Sequence, residues 1–286
     1  MCKDSVAAMD ENTSQADIDE RNRSFWNELC GSQLAQQLGV TDSSKESLAK
    51  FDNWYMELYP YLRRHIPFGQ LKGKRVLEVG LGYGTISQLL AEAGADYSGL
   101  DIAAGPVQMV NHRLQQNGLS GKAVQGSVLE APFPDAAFGY FIAIGCLHHS
   151  GNLQRALDEA WRMLKPGGKA MVMIYYAYSY RRWIYVPGAT FKQFLSDKLR
   201  VGSGQRTITE KERAHYDAST RGGGGAPETA FTSASEMKRL TARWSSCVVH
   251  RENIGQEFIF RTMPRDVACR TVGPWFGLDI YCELTK

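Results

Sequence analysis

Residues 75–85 read RVLEVGLGYGT. Val76, Leu77 and Val79 form a short apolar run around Glu78, and Gly80, Gly82 and Gly84 follow at once. A helical pattern begins at Thr85. The stretch therefore predicts a buried strand, a glycine turn and a helix. Glycine lacks a Cβ and tolerates φ > 0, so such a turn lets backbone pass close to a ligand. The helix behind it offers unpaired N–H groups to a polar or anionic group.

Downstream the same alternation repeats. Strands are expected over 96–101, 122–126, 138–145 and 169–176. Helices are expected over 85–93, 106–117 and 153–164, stopped by Gly94, Gly118 and Pro166-Gly167-Gly168. Strand–helix alternation implies a parallel sheet with helices on both faces and right-handed crossovers. Upstream, Ser43 and Glu46 are spaced as a capping box. Leu48, Phe51, Tyr55, Leu58 and Leu62 then mark one helix face, which Pro60 ends or kinks. Residues 23–72 read as a helical N-terminal cap, preceded by a flexible polar tail at 1–22.

After Tyr176 the alternation breaks. Residues 178–240 read as an insertion that caps the substrate. Between Arg181 and Arg213 it carries eight Lys/Arg against three Asp/Glu, and Gly222–Gly225 suit a mobile linker or lid hinge. Residues 241–286 supply two further strands, near 246–250 and 278–284, that complete the sheet.

Composition narrows the class. The formal net charge of +3 is too small to argue for nucleic acid. No apolar run reaches the roughly 18 residues of a membrane span. The N-terminus is polar and acidic, without the apolar core of a secretory signal, so a cytoplasmic protein is expected. The six cysteines are scattered without a CxxC pair, which argues against a zinc site or a disulfide framework.

The glycine spacing discriminates between nucleotide ligands. A dinucleotide-binding unit wants GxGxxG, whereas Gly80, Gly82 and Gly84 give GxGxG. Asp101 ends the second strand, 21 residues after Gly80, where a carboxylate can accept bonds from both hydroxyls of a ribose. The run VLEVGLGYGT, then Asp101, Gly126-Ser127, IGCLHH and LKPGG together resemble a class I S-adenosylmethionine (SAM)-dependent methyltransferase of the bacterial small-molecule type. The resemblance covers about Gly73 to Tyr176. It implies an α/β fold with a seven-stranded, mostly parallel sheet and SAM across the carboxyl ends of the strands.

By that resemblance, Glu78, Gly80, Gly82 and Gly84 line the methionine part of the cofactor, with Tyr83 and Thr85 in the same turn. Asp101 binds the ribose and Ile102 lies against the adenine. Gly126, Ser127 and Val128 belong to the adenine side, where Ser127 stands in place of an Asp common in the family. Ile144 and Gly145 form the floor beside the sulfonium. S-adenosylhomocysteine is the product.

Methyl transfer is an in-line displacement, and the acceptor must be aligned about 3 Å from the methyl carbon. A hydroxyl or ammonium acceptor must also lose a proton. His148 and His149 follow the fourth strand and titrate near neutrality, so either suits a general base. No Asp/Asn cluster accompanies them, and no metal is expected. Tyr55, Tyr59 and Tyr61 before the core, and Tyr175, Tyr176, Tyr178 and Tyr180 after it, are candidate walls of the substrate pocket. Arg181 and Arg182 are candidate clamps for a carboxylate or phosphate. O-, N- or C-methylation of a small molecule is the expected function. A nucleic-acid or protein methyltransferase is the alternative, although an Asn/Asp-Pro-Pro-aromatic motif is lacking. A non-catalytic SAM-binding protein is a further one, and an NAD-linked dehydrogenase is disfavoured by the glycine spacing. The acceptor and the oligomeric state are not legible in the sequence.

Overall fold

Val76, Leu77 and Val79 are buried in strand β1, Arg75–Val79, at the centre of the sheet. The computed structural model describes residues 14–29, 33–199, 213, 216–217 and 225–286. The other strands are β2 (Asp96–Asp101), β3 (Lys122–Gln125), β4 (Phe138–Ile144), β5 (Leu164–Tyr175), β6 (Ser246–Glu252) and β7 (Asp279–Thr285). They form one seven-stranded sheet in the order β3-β2-β1-β4-β5-β7-β6. The first five are mutually parallel, and β7 runs antiparallel to both β5 and β6. The mostly parallel seven-stranded expectation holds. The strand order reverses between β1 and β4, the place where open α/β sheets bind ligands.

The LKPGG stretch differs from its reading as a plain turn before the fifth strand. Leu164 already pairs with Phe138, and regular pairing resumes at Tyr140 and Lys169. The residues between bulge out and are held by the chain end: Gly167 N–H donates to the Lys286 carbonyl and Lys286 N–H to that of Gly168.

The helices are α1 (Gln15–Leu29), α2 (Gln33–Gln37), α3 (Lys45–Leu58), α4 (Leu62–His65), α5 (Thr85–Glu92), α6 (Ala104–Gln116), α7 (Leu153–Met163), α8 (Tyr180–Tyr185), α9 (Pro187–Leu199) and α10 (Ala234–Leu240). On one sheet face, Leu153, Ala156, Leu157, Ala160 and Met163 of α7 pack against Val172, Ile174, Ile280 and Cys282. On the other, Ile86 and Leu90 of α5 and Val110 and Leu114 of α6 cover Val76, Ile142 and Met171. Two short helices, Arg265–Thr271 and Gly273–Phe276, connect β6 to β7.

Two expectations need correction. The flexible tail cannot extend to residue 22, because α1 starts at Gln15. Its start is capped reciprocally: Asp17 N–H donates to Ser14 Oγ and Ser14 N–H to the Asp17 carboxylate, both at 3.2 Å. Residues 1–13 lie outside the described residues. The cap of α3 is Ser44, not Ser43; Ser44 Oγ accepts from Ser47 N–H at 3.2 Å. Helix α3 stops at Leu58, ahead of Pro60 as expected, and Leu62 of the same apolar series begins α4. The hinge assigned to Gly222–Gly225 has its first three glycines outside the described residues.

Candidate functional site

A cavity of about 270 Å³ opens at the carboxyl ends of β1, β2 and β4. The β1–α5 turn lines it with Glu78, Gly80, Gly82, Tyr83 and Thr85. Asp101 and Ile102 line it from the end of β2, and Gly126, Ser127 and Val128 from the loop after β3. Ile144 and Gly145 close it from the end of β4. The expected cofactor residues thus meet at one cavity, with Gly84 excepted. Gly84 caps α5 at φ 80°, and a Cβ there would sit 3.0 Å from Arg113 and Val110. It is a packing glycine between α5 and α6.

Gly80 is required for a different reason. Its φ is +77°, and a Cβ would lie 2.4 Å from the Cβ of Cys146. The loop after β4 can therefore press against the β1 turn. The Cys146 thiol donates to the Val79 carbonyl at 3.0 Å, and burial pushes its pKa well up, so it is no nucleophile.

Two carboxylates stand beside the turn. Asp101 accepts from Leu81 N–H at 2.7 Å through Oδ2 and from Ala103 N–H at 2.9 Å through Oδ1. Those bonds fix its orientation and leave each oxygen capacity for a further donor. Burial raises the Asp101 pKa, and the backbone N–H groups oppose the rise. Glu78 is buried and accepts from Ser87 Oγ at 2.6 Å and from the Tyr97 hydroxyl at 2.7 Å. Burial pushes its pKa up to about 7 against those two donors. Ser127 Oγ accepts from Leu129 N–H at 3.3 Å and retains its own proton for donation.

The two histidines part company. His149 lines the cavity, and His148 does not. His149 Nδ1 lies 2.6 Å from the Glu228 carbonyl. A carbonyl only accepts, so the proton sits on Nδ1, and Nε2 carries the lone pair, buried and without a hydrogen-bond partner among the described residues. Nε2 is 3.6 Å from Asp217 Oδ2, which in turn accepts from the Tyr175 hydroxyl at 2.9 Å. Burial lowers the His149 pKa below 6.5, while Asp217 and the Glu228 carbonyl favour the charged form. His148 is buried with both ring nitrogens lacking a hydrogen-bond partner, and burial drives its pKa well below 6.5. It packs 4.2 Å from the Tyr175 ring.

Of the expected substrate residues, Tyr55 lines the cavity. Tyr59 packs behind it, ring centroids 4.9 Å apart and tilted by 55°, without reaching the lining. Tyr176 is buried in the core shared with α7, under the Arg251 guanidinium. Arg181 is committed to Glu257 through two bonds of 2.7 and 3.0 Å, so its fork is not open to a ligand. Arg182 is buried and donates to the Ala177 carbonyl.

Sequence reasoning missed the strap over the cavity. Asp19, Asn22 and Trp26 of α1 line it. Asn22 donates to the His149 carbonyl at 2.8 Å, and Asn27 Oδ1 accepts from Gly105 N–H at 2.8 Å. The helix thus runs from the loop after β4 to the start of α6. Trp26 packs on the His149 ring at 4.7 Å. The readable signal was the Ser14–Asp17 capping box, outweighed by the polar composition around it. Phe51 of α3, stacked on Tyr83 at 4.3 Å, was read only as a core-facing helix position.

Residues 77–172 match the family described as "Methyltransferase domain". A demethylmenaquinone methyltransferase of Tropheryma whipplei is 33% identical over 105 residues, covering 36% of this chain and 43% of that protein. A ubiquinone biosynthesis O-methyltransferase of Pectobacterium atrosepticum is 36% identical over 101 residues, covering 34% and 41%. The chain therefore spans less than half the length of these relatives. A SAM-dependent methyltransferase structure from Methanosarcina mazei superposes with a TM-score of 0.52 at 17% identity, over 80% of this chain and 98% of that one. That likeness establishes the fold.

Proposed function

We propose, for a chain whose residues 77–172 match the methyltransferase-domain family and whose sheet has the class I methyltransferase topology, that it transfers a methyl group from SAM to a small-molecule acceptor. The observation that carries the reading is the single cavity on which Glu78, Gly82, Asp101, Ser127 and Ile144 converge. The cavity fits the cofactor at Asp101. Asp101 is pre-oriented by two backbone bonds, with lone pairs left for a ribose diol.

SAM, when bound, supplies a methyl carbon activated by positive sulfur. Asp101 would hold the ribose hydroxyls, Ile102 and Val128 would lie against the adenine, and Ser127 would bond its edge. Glu78 and the glycine backbone would orient the amino-acid end. His149 Nε2 takes the acceptor proton, with Glu228 fixing the ring tautomer and Asp217 stabilising the imidazolium that forms. Trp26, Phe51, Tyr55 and Tyr83 give the cavity an aromatic wall, which suits a flat apolar acceptor. The relatives named for demethylmenaquinone and ubiquinone biosynthesis support that class.

Calorimetric titration with S-adenosylhomocysteine tests the reading. Binding is expected, and Asp101→Ala is expected to weaken it by about 10- to 100-fold, from two bonds to a charged acceptor. Folded protein that binds neither SAM nor S-adenosylhomocysteine sinks the proposal. Binding without methyl turnover on any quinone-like or phenolic acceptor sinks its catalytic half.

A further inference from the structure

Away from the cavity, three side chains converge at the outer edge of the sheet: His65 of α4, His250 of β6 and Glu283 of β7. Each offers one ligand atom, and these atoms all lie within 4.8 Å of one another. His65 Nδ1 is 3.6 Å from Glu283 Oε1, and His250 Nε2 is 3.5 Å from the same oxygen. Strand register sets up the pair. His250 faces Tyr281 and Val248 faces Glu283, which makes His250 and Glu283 diagonal neighbours on one face. Helix α4 then lays His65 over them, its ring stacked on Tyr281 at 4.6 Å and 18°.

We propose that His65, His250 and Glu283 bind a divalent transition-metal ion of the zinc class, clipping the end of the N-terminal cap to the β6–β7 edge. Tetrahedral zinc with bonds of about 2.0–2.1 Å separates its ligand atoms by roughly 3.3–3.4 Å. Both separations to Glu283 are within a few tenths of an ångström of that. Two imidazoles and one carboxylate select zinc, copper or nickel over magnesium or calcium.

The surroundings favour a metal over a simple charge pair. His65 Nε2 is 2.9 Å from Glu252 Oε1, which places the ring proton on Nε2 and turns the Nδ1 lone pair to the cluster. A carboxylate behind a histidine orients metal-binding imidazoles in this way. Arg64 bonds the same Glu252 oxygen at 3.1 Å and holds that carboxylate in place. His65 Nδ1 is buried without a hydrogen-bond partner, on a side chain 5% exposed. His250 and Glu283 are 42% and 47% exposed, which leaves an entry path and room for water as a fourth ligand.

The test uses the full-length, untagged, metal-stripped protein. Zinc calorimetry is expected to give one saturable site, and cobalt(II) the visible absorption of a tetrahedral site. His250→Ala and Glu283→Gln, both at exposed positions, are each expected to lower zinc affinity at least tenfold and abolish the cobalt band. S-adenosylhomocysteine affinity is expected to stay within twofold in both. Zinc is expected to raise the melting temperature of the wild type and not of His250→Ala. Absence of saturable zinc binding, or full affinity retained in both variants, overturns the site. Zinc bound with no rise in melting temperature overturns the clip.

Discussion

Asp52→Ala probes how the cap is fastened to the cofactor turn. Asp52 lies on α3, and Arg113, on α6, is 1% exposed. The guanidinium donates to Asp52 Oδ2 at 2.9 Å and Oδ1 at 2.8 Å, a bidentate pair. Its Nη1 also donates to Gln88 at 2.9 Å, while Nε has no partner. Thr85, the first residue of α5, donates its hydroxyl to Asp52 at 2.6 Å. One carboxylate thus joins the cap, α6 and the helix behind the glycine turn.

Removing one partner of a buried ion pair costs about 3–5 kcal/mol, because the other charge stays buried alone. The Asp52 side chain is 25% exposed, so water reaches the guanidinium once the carboxylate is gone. The lower end of that range, about 3 kcal/mol, is expected, with about 1 kcal/mol more for the bond from Thr85. Urea denaturation at neutral pH reads it as a lower midpoint at unchanged slope. Asp52→Leu combined with Arg113→Met removes both charges and should recover most of the loss. A loss below about 1 kcal/mol in Asp52→Ala, or a double variant as unstable as the sum of its singles, refutes the coupling.

Other outcomes follow from the same geometry. The His149 pKa is held below 6.5 by burial, so turnover of a protic acceptor should rise through the acid range and be flat above 6.5. His149→Asn should cost roughly 10²–10⁴-fold and erase that limb, whereas a pH profile that survives the substitution removes the base. Asp279 is buried, and its pKa is pushed up to about 7 from 3.8. Between those values the folded state holds a proton that the unfolded state has lost, so stability falls as pH rises through the window. Asp279→Asn, which can still accept from Asn253, should be more stable than wild type at pH 8, with the gain fading toward pH 4. An equal gain at both pH values contradicts the assignment. Gly80→Ala places a Cβ 2.4 Å from Cys146 at φ +77°, and should cost at least about 2 kcal/mol and weaken S-adenosylhomocysteine binding. Wild-type stability and affinity in that variant would show that the two loops can part freely.

The core was legible because local signals there agree. Val76 to Gly80 combines an apolar run with a glycine that must turn, and Asp96–Asp101 was recovered to the residue. Twelve of the thirteen expected cofactor residues line the cavity because strand ends converge there by topology. Gly84 failed because motif position does not show which glycine faces a ligand and which faces Arg113. Arg181 failed because its partner, Glu257, lies 76 residues away in sequence. The part of α1 before residue 23 was read as tail because its stability is tertiary: a polar segment is held by Asn22, and further along by Asn27 and Trp26, against loops it meets only after folding.

The part of the cavity least legible in the sequence lies outside the matched segment. The family match ends at residue 172, and the curated relatives cover about a third of the chain. Trp26, Phe51 and Tyr55 come from before that segment, and Asp217 and Glu228, which support His149, from after it. Identity within the segment therefore transmits the half of the cavity built on the strand ends and says little about the other half. That other half is built by elements whose contacts are long in sequence. His149 illustrates the division: its position comes with the core, but its tautomer is fixed by a carbonyl 79 residues away. A relative sharing the core and lacking that carbonyl would keep the histidine and lose the fixed Nε2 lone pair, and with it the proton-transfer role proposed for His149.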